Sequence, residues 1–141
     1  MERQLRLSKD ELSKVLENAF PAAIRPSLGE LVSIAPGHAR LRLDPNPTML
    51  RPGGIVSGPA IVALADVAAY AVILAHIGAV EMAVTSTLSI SFLRACKPET
   101  MIADARLLKL GRRLASVDVR VWQGSEDHIV AQATLGYAIP D

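Results

Sequence analysis

The sequence predicts an α+β domain in which a curved antiparallel sheet wraps one long central helix. Three observations carry that expectation. Residues 57–77 begin in a Gly/Pro-rich loop and continue as an alanine-rich run that is apolar on nearly every face, the mark of a helix buried all round. Segments on either side of it alternate apolar and polar residues with a period of two, as half-buried strands do. The segments after the helix are joined by short turns, which require mostly antiparallel pairing.

At the N-terminal end, Ser8-Lys9-Asp10-Glu11 has the capping-box pattern, followed by Leu12, Val15, Leu16 and Ala19 at helical spacing. Residues 1–22 are assigned to an N-terminal helix that closes at Phe20-Pro21. Glu30 to Ala35 reads as a strand and Pro36-Gly37 as a turn. Ala39, Leu41 and Leu43 then alternate with Arg40 and Arg42, giving a strand with a cationic outer face. Asp44-Pro45-Asn46-Pro47 breaks it and leads toward the central loop. Pro59 suits the first turn of the central helix, Ser57 or Gly58 its N-cap, and Gly78 its C-terminal cap. Further strands are expected over Met82 to Leu93, Met101 to Leu110, Leu114 to Gln123, and from Ile129 through Tyr137. Residues 1–141 thus read as one domain. A helix apolar on all sides needs more cover than one small sheet supplies, so a homo-oligomer, dimer or tetramer, is expected.

Composition narrows the class. A chain of 141 residues can bury a real core, and half hydrophobic with 21% charged is a globular composition. A net charge of +1 argues against generic nucleic-acid binding. The single cysteine, Cys96, excludes an internal disulfide framework and fits a reducing compartment. Residues Met1 to Arg6 lack the apolar core of a signal peptide, and a cytoplasmic location is expected. The central run is barely long enough to span a membrane and carries an acid near its middle, so it is read as a core helix without a membrane partner. His38, His76 and His128 are scattered without metal-ligand spacing and read as surface or packing residues. Cys96 reads as inert.

The anomaly is Asp66, the only formal charge between Ile55 and Leu74. An acid inside an apolar helix is costly unless it is paired, neutralised or used. Two turns earlier, Gly58 offers a backbone N–H at the helix start, where the dipole favours a developing oxyanion. At 1.5 Å per residue the two lie roughly 12 Å apart along the axis. Within one chain they are too far apart to meet on a single carbonyl.

The frame Ser57-Gly58-Pro59, six residues, then Asp66 within Leu64-Ala65-Asp66-Val67-Ala68 is followed by Ser89-Ile90-Ser91-Phe92-Leu93-Arg94 and by the turn Gly111-Arg112. In that order the sequence resembles the hotdog-fold acyl-CoA thioesterases of the phenylacetic-acid-degradation type, over residues 25–139. It carries Ser57 where that family has histidine, Pro59 for the second glycine, Arg51 for an asparagine and Ala95 for a proline. The resemblance implies a hotdog fold and hydrolysis of a thioester to free acid and coenzyme A. It implies Asp66 as general base or nucleophile and the Gly58 N–H as the group polarising the carbonyl, contributed by different subunits. Thr85 aligns with a Ser/Thr that holds the attacking water. By strand parity it falls with Thr87 and Ser89, so a bulge or a partner subunit must bring it to the site. Ser57 is a further candidate donor to the carbonyl. Arg51, Gly54 and Pro59 belong to the substrate loop, and Arg112 and Arg113, ahead of Arg94 and Lys109, are candidates for the coenzyme A phosphates. Ile61, Leu64 and Tyr70 are candidates for lining an acyl tunnel. No metal and no resident cofactor is implied, since coenzyme A enters as part of the substrate.

Plainer readings stand beside these. Asp66 bonded to backbone or to Tyr70 would be structural, Ser57-Gly58-Pro59 is first of all a helix start, and charge in a turn is ordinarily solvated. With the histidine absent, the same fold would serve a non-hydrolytic acyl-CoA or acyl-carrier binding protein. A hotdog hydratase or dehydratase would want a histidine in the Gly/Pro loop, where none falls.

Overall fold

The computed structural model describes residues 4–141, so residues 1–3 of the expected N-terminal helical segment lie outside the described range. Helix α1 spans Lys9–Ala19, shorter than the 1–22 expected. Its start is the capping box: Ser8 Oγ accepts from the Glu11 N–H at 3.1 Å, and Glu11 Oε1 accepts from the Ser8 N–H at 3.0 Å. Its end falls at Phe20, which turns extended ahead of Pro21. Strands β1 (Glu30–Ala35) and β2 (His38–Leu43) form a hairpin on Pro36-Gly37, where Gly37 takes a φ of +74°. Two-residue strands β3 (Leu50–Arg51) and β4 (Ile55–Val56) make a small second hairpin. Helix α2 (Gly58–Ile77) follows, capped at Gly78, then β5 (Val84–Phe92), β6 (Met101–Leu110), β7 (Leu114–Trp122) and β8 (Ile129–Ala138).

The main sheet has the order β1-β2-β6-β7-β8-β5, and every pairing in it is antiparallel. It curls around α2, which is the hotdog arrangement. Leu41, Met101, Ala103, Val117, Val119 and Leu135 bury their side chains between sheet and helix. Along α2, every residue from Val67 through His76 is buried. The helix is long and apolar enough to cross a membrane, with a mean hydropathy of 2.1, but 72% of that stretch is buried inside the fold. It is the core of the domain. The cover expected from a second subunit comes, over this C-terminal half, from the same chain. The Arg6 and Leu7 N–H groups donate to the Ala75 carbonyl at 2.8 and 3.3 Å, and the Phe20 ring meets Tyr70 edge-on at 5.9 Å. His76 fixes the far end of α2. Its Nδ1–H donates to the Val72 carbonyl at 2.7 Å, which leaves Nε2 to accept from the Gly37 N–H at 2.9 Å.

The outer face of β2 is not the bare cationic surface its arginines suggest. Asp104, only 5% exposed, accepts from Arg40 Nε and Nη2 at 2.6 and 3.0 Å, from His38 Nε2 at 3.1 Å and from Trp122 Nε1 at 2.9 Å. Arg40 also reaches Glu126 at 2.7 Å and lies over the Trp122 ring. Arg42 pairs with Glu30 and Asp44. Cross-strand pairs on adjacent strands neutralise what the sequence of a single strand shows as a run of charge. Burial opposes the Asp104 charge, but hydrogen bonds from Arg40, Trp122 and His38 outweigh it and hold the carboxyl below its ordinary 3.8.

A carboxyl held down in the native state stabilises the fold above its unfolded value and loses that contribution as pH falls through the folded value. Asp104→Ala is expected to cost about 3 kcal/mol at neutral pH, because Arg40, His38 and Trp122 lose their shared acceptor and Arg40 keeps only the exposed Glu126. The deficit against the parent, read from denaturant midpoints, should persist down to the ordinary value of 3.8 and shrink only below it. A deficit that shrinks from neutral pH downward would contradict this account of the pair.

Candidate active site

The N-terminal half of α2 is the more open half, and the central loop leads directly into it. Ser57 is the N-cap: its Oγ accepts from the Ala60 N–H at 3.4 Å while its own N–H donates to the Met49 carbonyl at 2.8 Å. Gly58 is therefore the first helical residue, and its N–H has no carbonyl one turn back to bond. Pro59 follows it, exposed. Ahead of the helix, Gly53 and Gly54 take φ values of +99° and +73° to close the β3–β4 hairpin, a conformation that asks for glycine. Arg51 stands exposed at that turn.

Asp66 is half-buried on α2. Its Oδ1 accepts from Thr85 Oγ1 at 2.7 Å and from the Tyr137 hydroxyl at 2.5 Å, and the same hydroxyl lies 3.1 Å from the Asp66 carbonyl oxygen. Among the described residues none donates to Oδ2. Thr85 gets there through a bulge. In the β5–β8 ladder Thr85 pairs with Tyr137 and Thr87 with Gly136, so Ser86 is the extra residue. Gly136 makes the room: a Cβ there would stand 2.5 Å from Thr87 Oγ1. Burial, then the adjacent Asp66 charge and hydrogen bond, push the Tyr137 phenol far above the ordinary tyrosine range, so it stays a donor.

Tyr70 is not the partner of Asp66. Its hydroxyl donates to the Glu81 carbonyl at 2.9 Å, and its ring packs between Phe20 and Tyr137. Ile61, Leu64 and Tyr70 are buried in the core of the chain. Tyr137 escaped the sequence reading because only strand register, 71 positions away in the chain, brings it to Asp66. The usable signal was chemical: a tyrosine on an inward-facing strand position needs a partner for its hydroxyl.

Gly58 and Asp66 stand toward opposite ends of β5. A Cβ on Gly58 would lie 3.4 Å from the Phe92 ring, whereas Asp66 contacts Thr85. β5 is an outer strand of the sheet, and its Val84, Leu88 and Phe92 side chains are exposed. The Gly111-Arg112-Arg113 turn lies at the Thr85 end, since Val84 and Leu114 both pair with Ala138. Arg112 is exposed there, and Arg113 bonds Asp141 at 2.7 Å. Arg94 donates to the Ile129 carbonyl and Lys109 is exposed on β6. Cys96 is 2% exposed, and burial pushes its thiol up to about 11, which leaves it unreactive. Among the described residues no group of three His, Cys, Asp or Glu side chains is placed to hold a metal ion. A groove of about 830 Å³ lies between α1 and the β1–β2 hairpin, with Leu16, Phe20, Leu28 and Val67 in its walls, and not around the Asp66 carboxylate.

Residues 53–130 match the model of the Thioesterase superfamily. A crystal structure from Silicibacter sp. TM1040, of a protein provisionally named a thioesterase, is 41% identical, with a TM-score of 0.87 over 99% of this chain and 96% of that one. The structure of a Streptococcus mutans protein bound to acetyl-CoA is 28% identical, with a TM-score of 0.70 over 79% of this chain and 88% of its own. A relative from Saccharolobus solfataricus, provisionally named an esterase, is 30% identical over 99 residues, 70% of this chain. The match spans 65% of that relative's length, just under two thirds.

The bulge that delivers Thr85 depends on the missing side chain at position 136. Gly136→Ala is expected to cost about 1–3 kcal/mol by overpacking, seen as a lower denaturant midpoint at unchanged m-value. An unchanged midpoint would mean that Thr87 turns aside freely and that glycine is not required.

Proposed function

The chain belongs to the thioesterase superfamily, and from that premise we propose that it hydrolyses an acyl-coenzyme A thioester to the free acid and coenzyme A, at a site shared by two copies of the chain. The observation that carries the reading is the Asp66 carboxylate: half-buried on an apolar helix, one oxygen held by two hydroxyls, the other without a donor. In this reading Oδ2 takes a proton from water as the water oxygen attacks the thioester carbonyl carbon. The C–S bond then breaks, and the departing thiolate takes the proton back from Asp66. Thr85, its hydroxyl hydrogen committed to Oδ1, faces that water only as an acceptor. Two donors on Oδ1 draw charge from the carboxylate and blunt it as a nucleophile, whereas a base needs only a fixed acceptor. The Gly58 N–H, at the positive end of α2, polarises the carbonyl oxygen.

A second copy supplies what one chain lacks. The free edge of β5, with Leu88 and Phe92 exposed, suits isologous pairing with itself. Antiparallel β5 strands would set the Thr85 end of one against the Phe92 end of the other. One copy's Asp66 is thereby brought toward Gly58 of the partner subunit. The acetyl-CoA complex of the Streptococcus mutans protein supports a coenzyme A thioester as the substrate class. Arg112 and Arg113, at the Thr85 end of the sheet, are the groups we assign to its phosphates.

Free-thiol release from short, long and aromatic acyl-CoA esters tests the reading. At least one ester should turn over, and Asp66→Asn should lower its kcat by about 100-fold or more. Release that survives in Asp66→Asn would remove the assigned base. A parent that releases thiol from no ester would point instead to a binding protein, consistent with Ser57 in the family's histidine position.

A further inference from the structure

We propose that Tyr137 is a positioning residue for this hydrolysis: its hydroxyl, together with that of Thr85, occupies Oδ1 of Asp66 and so fixes Oδ2 as the atom that handles the proton. The inference rests on the hydrolytic reading above. Its basis is geometric. A carboxylate on a helix can turn about two side-chain bonds, and a base on a loose arm spends little time in a productive orientation. Here one hydroxyl group lies within hydrogen-bonding distance of both Asp66 Oδ1, at 2.5 Å, and the Asp66 carbonyl oxygen, at 3.1 Å. Those two contacts reference the side chain to its own backbone. Thr85 reaches the same Oδ1 from β5 at 2.7 Å. Two donors on one oxygen set the plane of the carboxylate and leave the second oxygen facing away from both.

Tyr137 is suited to this because it cannot itself move. It is 3% exposed and sits on β8, bonded to β7 on one side and β5 on the other. Its ring lies 6.2 Å from that of Tyr70, which in turn meets Phe20 at 5.9 Å. A row of three rings therefore runs from the end of α1 to the carboxylate. Nothing in the family pattern described above points to position 137. The assignment comes from the hydrogen bonds alone.

Tyr137→Phe removes one oxygen atom and keeps the ring. With an ester that the parent turns over, the variant should lose kcat by about 10- to 100-fold while KM stays within about 2-fold, because orientation and not binding is lost. Its Kd for a non-hydrolysable acyl-CoA thioether should match the parent's, which also reports a folded site. In an Asp66→Asn background the same change should cost nothing further under single-turnover conditions, since Tyr137 acts only through that carboxylate. Unchanged kcat in Tyr137→Phe would overturn the proposal alone. So would an equal loss in both backgrounds, which marks a merely structural tyrosine. A parent without turnover on any ester would overturn the hydrolytic reading, and this inference with it.

Discussion

Two hydroxyl groups, one from each of two neighbouring strands, meet a single oxygen of Asp66, and the open end of α2 is arranged around that contact. A carboxylate with no partner in an apolar helix would cost several kcal/mol. Hydrogen bonds to a charged acceptor contribute about 1.5–3 kcal/mol each, enough to make the group tolerable. They do not make it useful to the fold. A leucine at position 66 would suit an apolar helix better, and local conflicts of this kind tend to sit where chemistry is done. The helix can carry the burden because the stretch from Val67 through His76 is fully buried under sheet and α1.

The sheet order turns that contact into a site. β5 follows α2 in the chain, yet it joins the sheet beside β8, leaving one of its edges unpaired. Interior strands β6, β7 and β8 carry the core, while β5 carries Thr85 on a bulge and presents apolar side chains that none of the described residues covers. Gly58 and Asp66 stand toward opposite ends of this strand. In the pairing we propose, a geometry that looks unproductive within one chain would become complementary when the strand meets a second copy of itself head to tail.

Much of this was legible in the sequence. Alternation with a period of two, bounded by Pro36-Gly37, Lys97-Pro98 and Gly111, located all six strands of the main sheet, five of them to within a residue at each end. Ser8 to Glu11 announced α1, and Gly78 the end of α2. What was not legible depends on register. Periodicity says which face a residue takes, not which residue stands opposite, so the only side-chain partner the sequence offers Asp66, in its plainer reading, is Tyr70 one helical turn away, whereas the structure gives it Tyr137. The arginines of β2 read as bare charge because Asp104 arrives from β6. Strands β3 and β4, two residues each, are too short to show any period. The bulge at Ser86 was foreseen only as one of two ways to bring Thr85 to the helix, and the space left by Gly136 decides between them.

The central claim is that Asp66 is present for its chemistry and not for the fold. Equilibrium unfolding of Asp66→Asn tests it most directly, because the amide oxygen can still accept from Thr85 and Tyr137 while the charge is gone. The account predicts an unfolding free energy within about 1 kcal/mol of the parent's, as expected when the hydrogen bonds are conserved. A loss of several kcal/mol would contradict it and make the charge at position 66 a structural element.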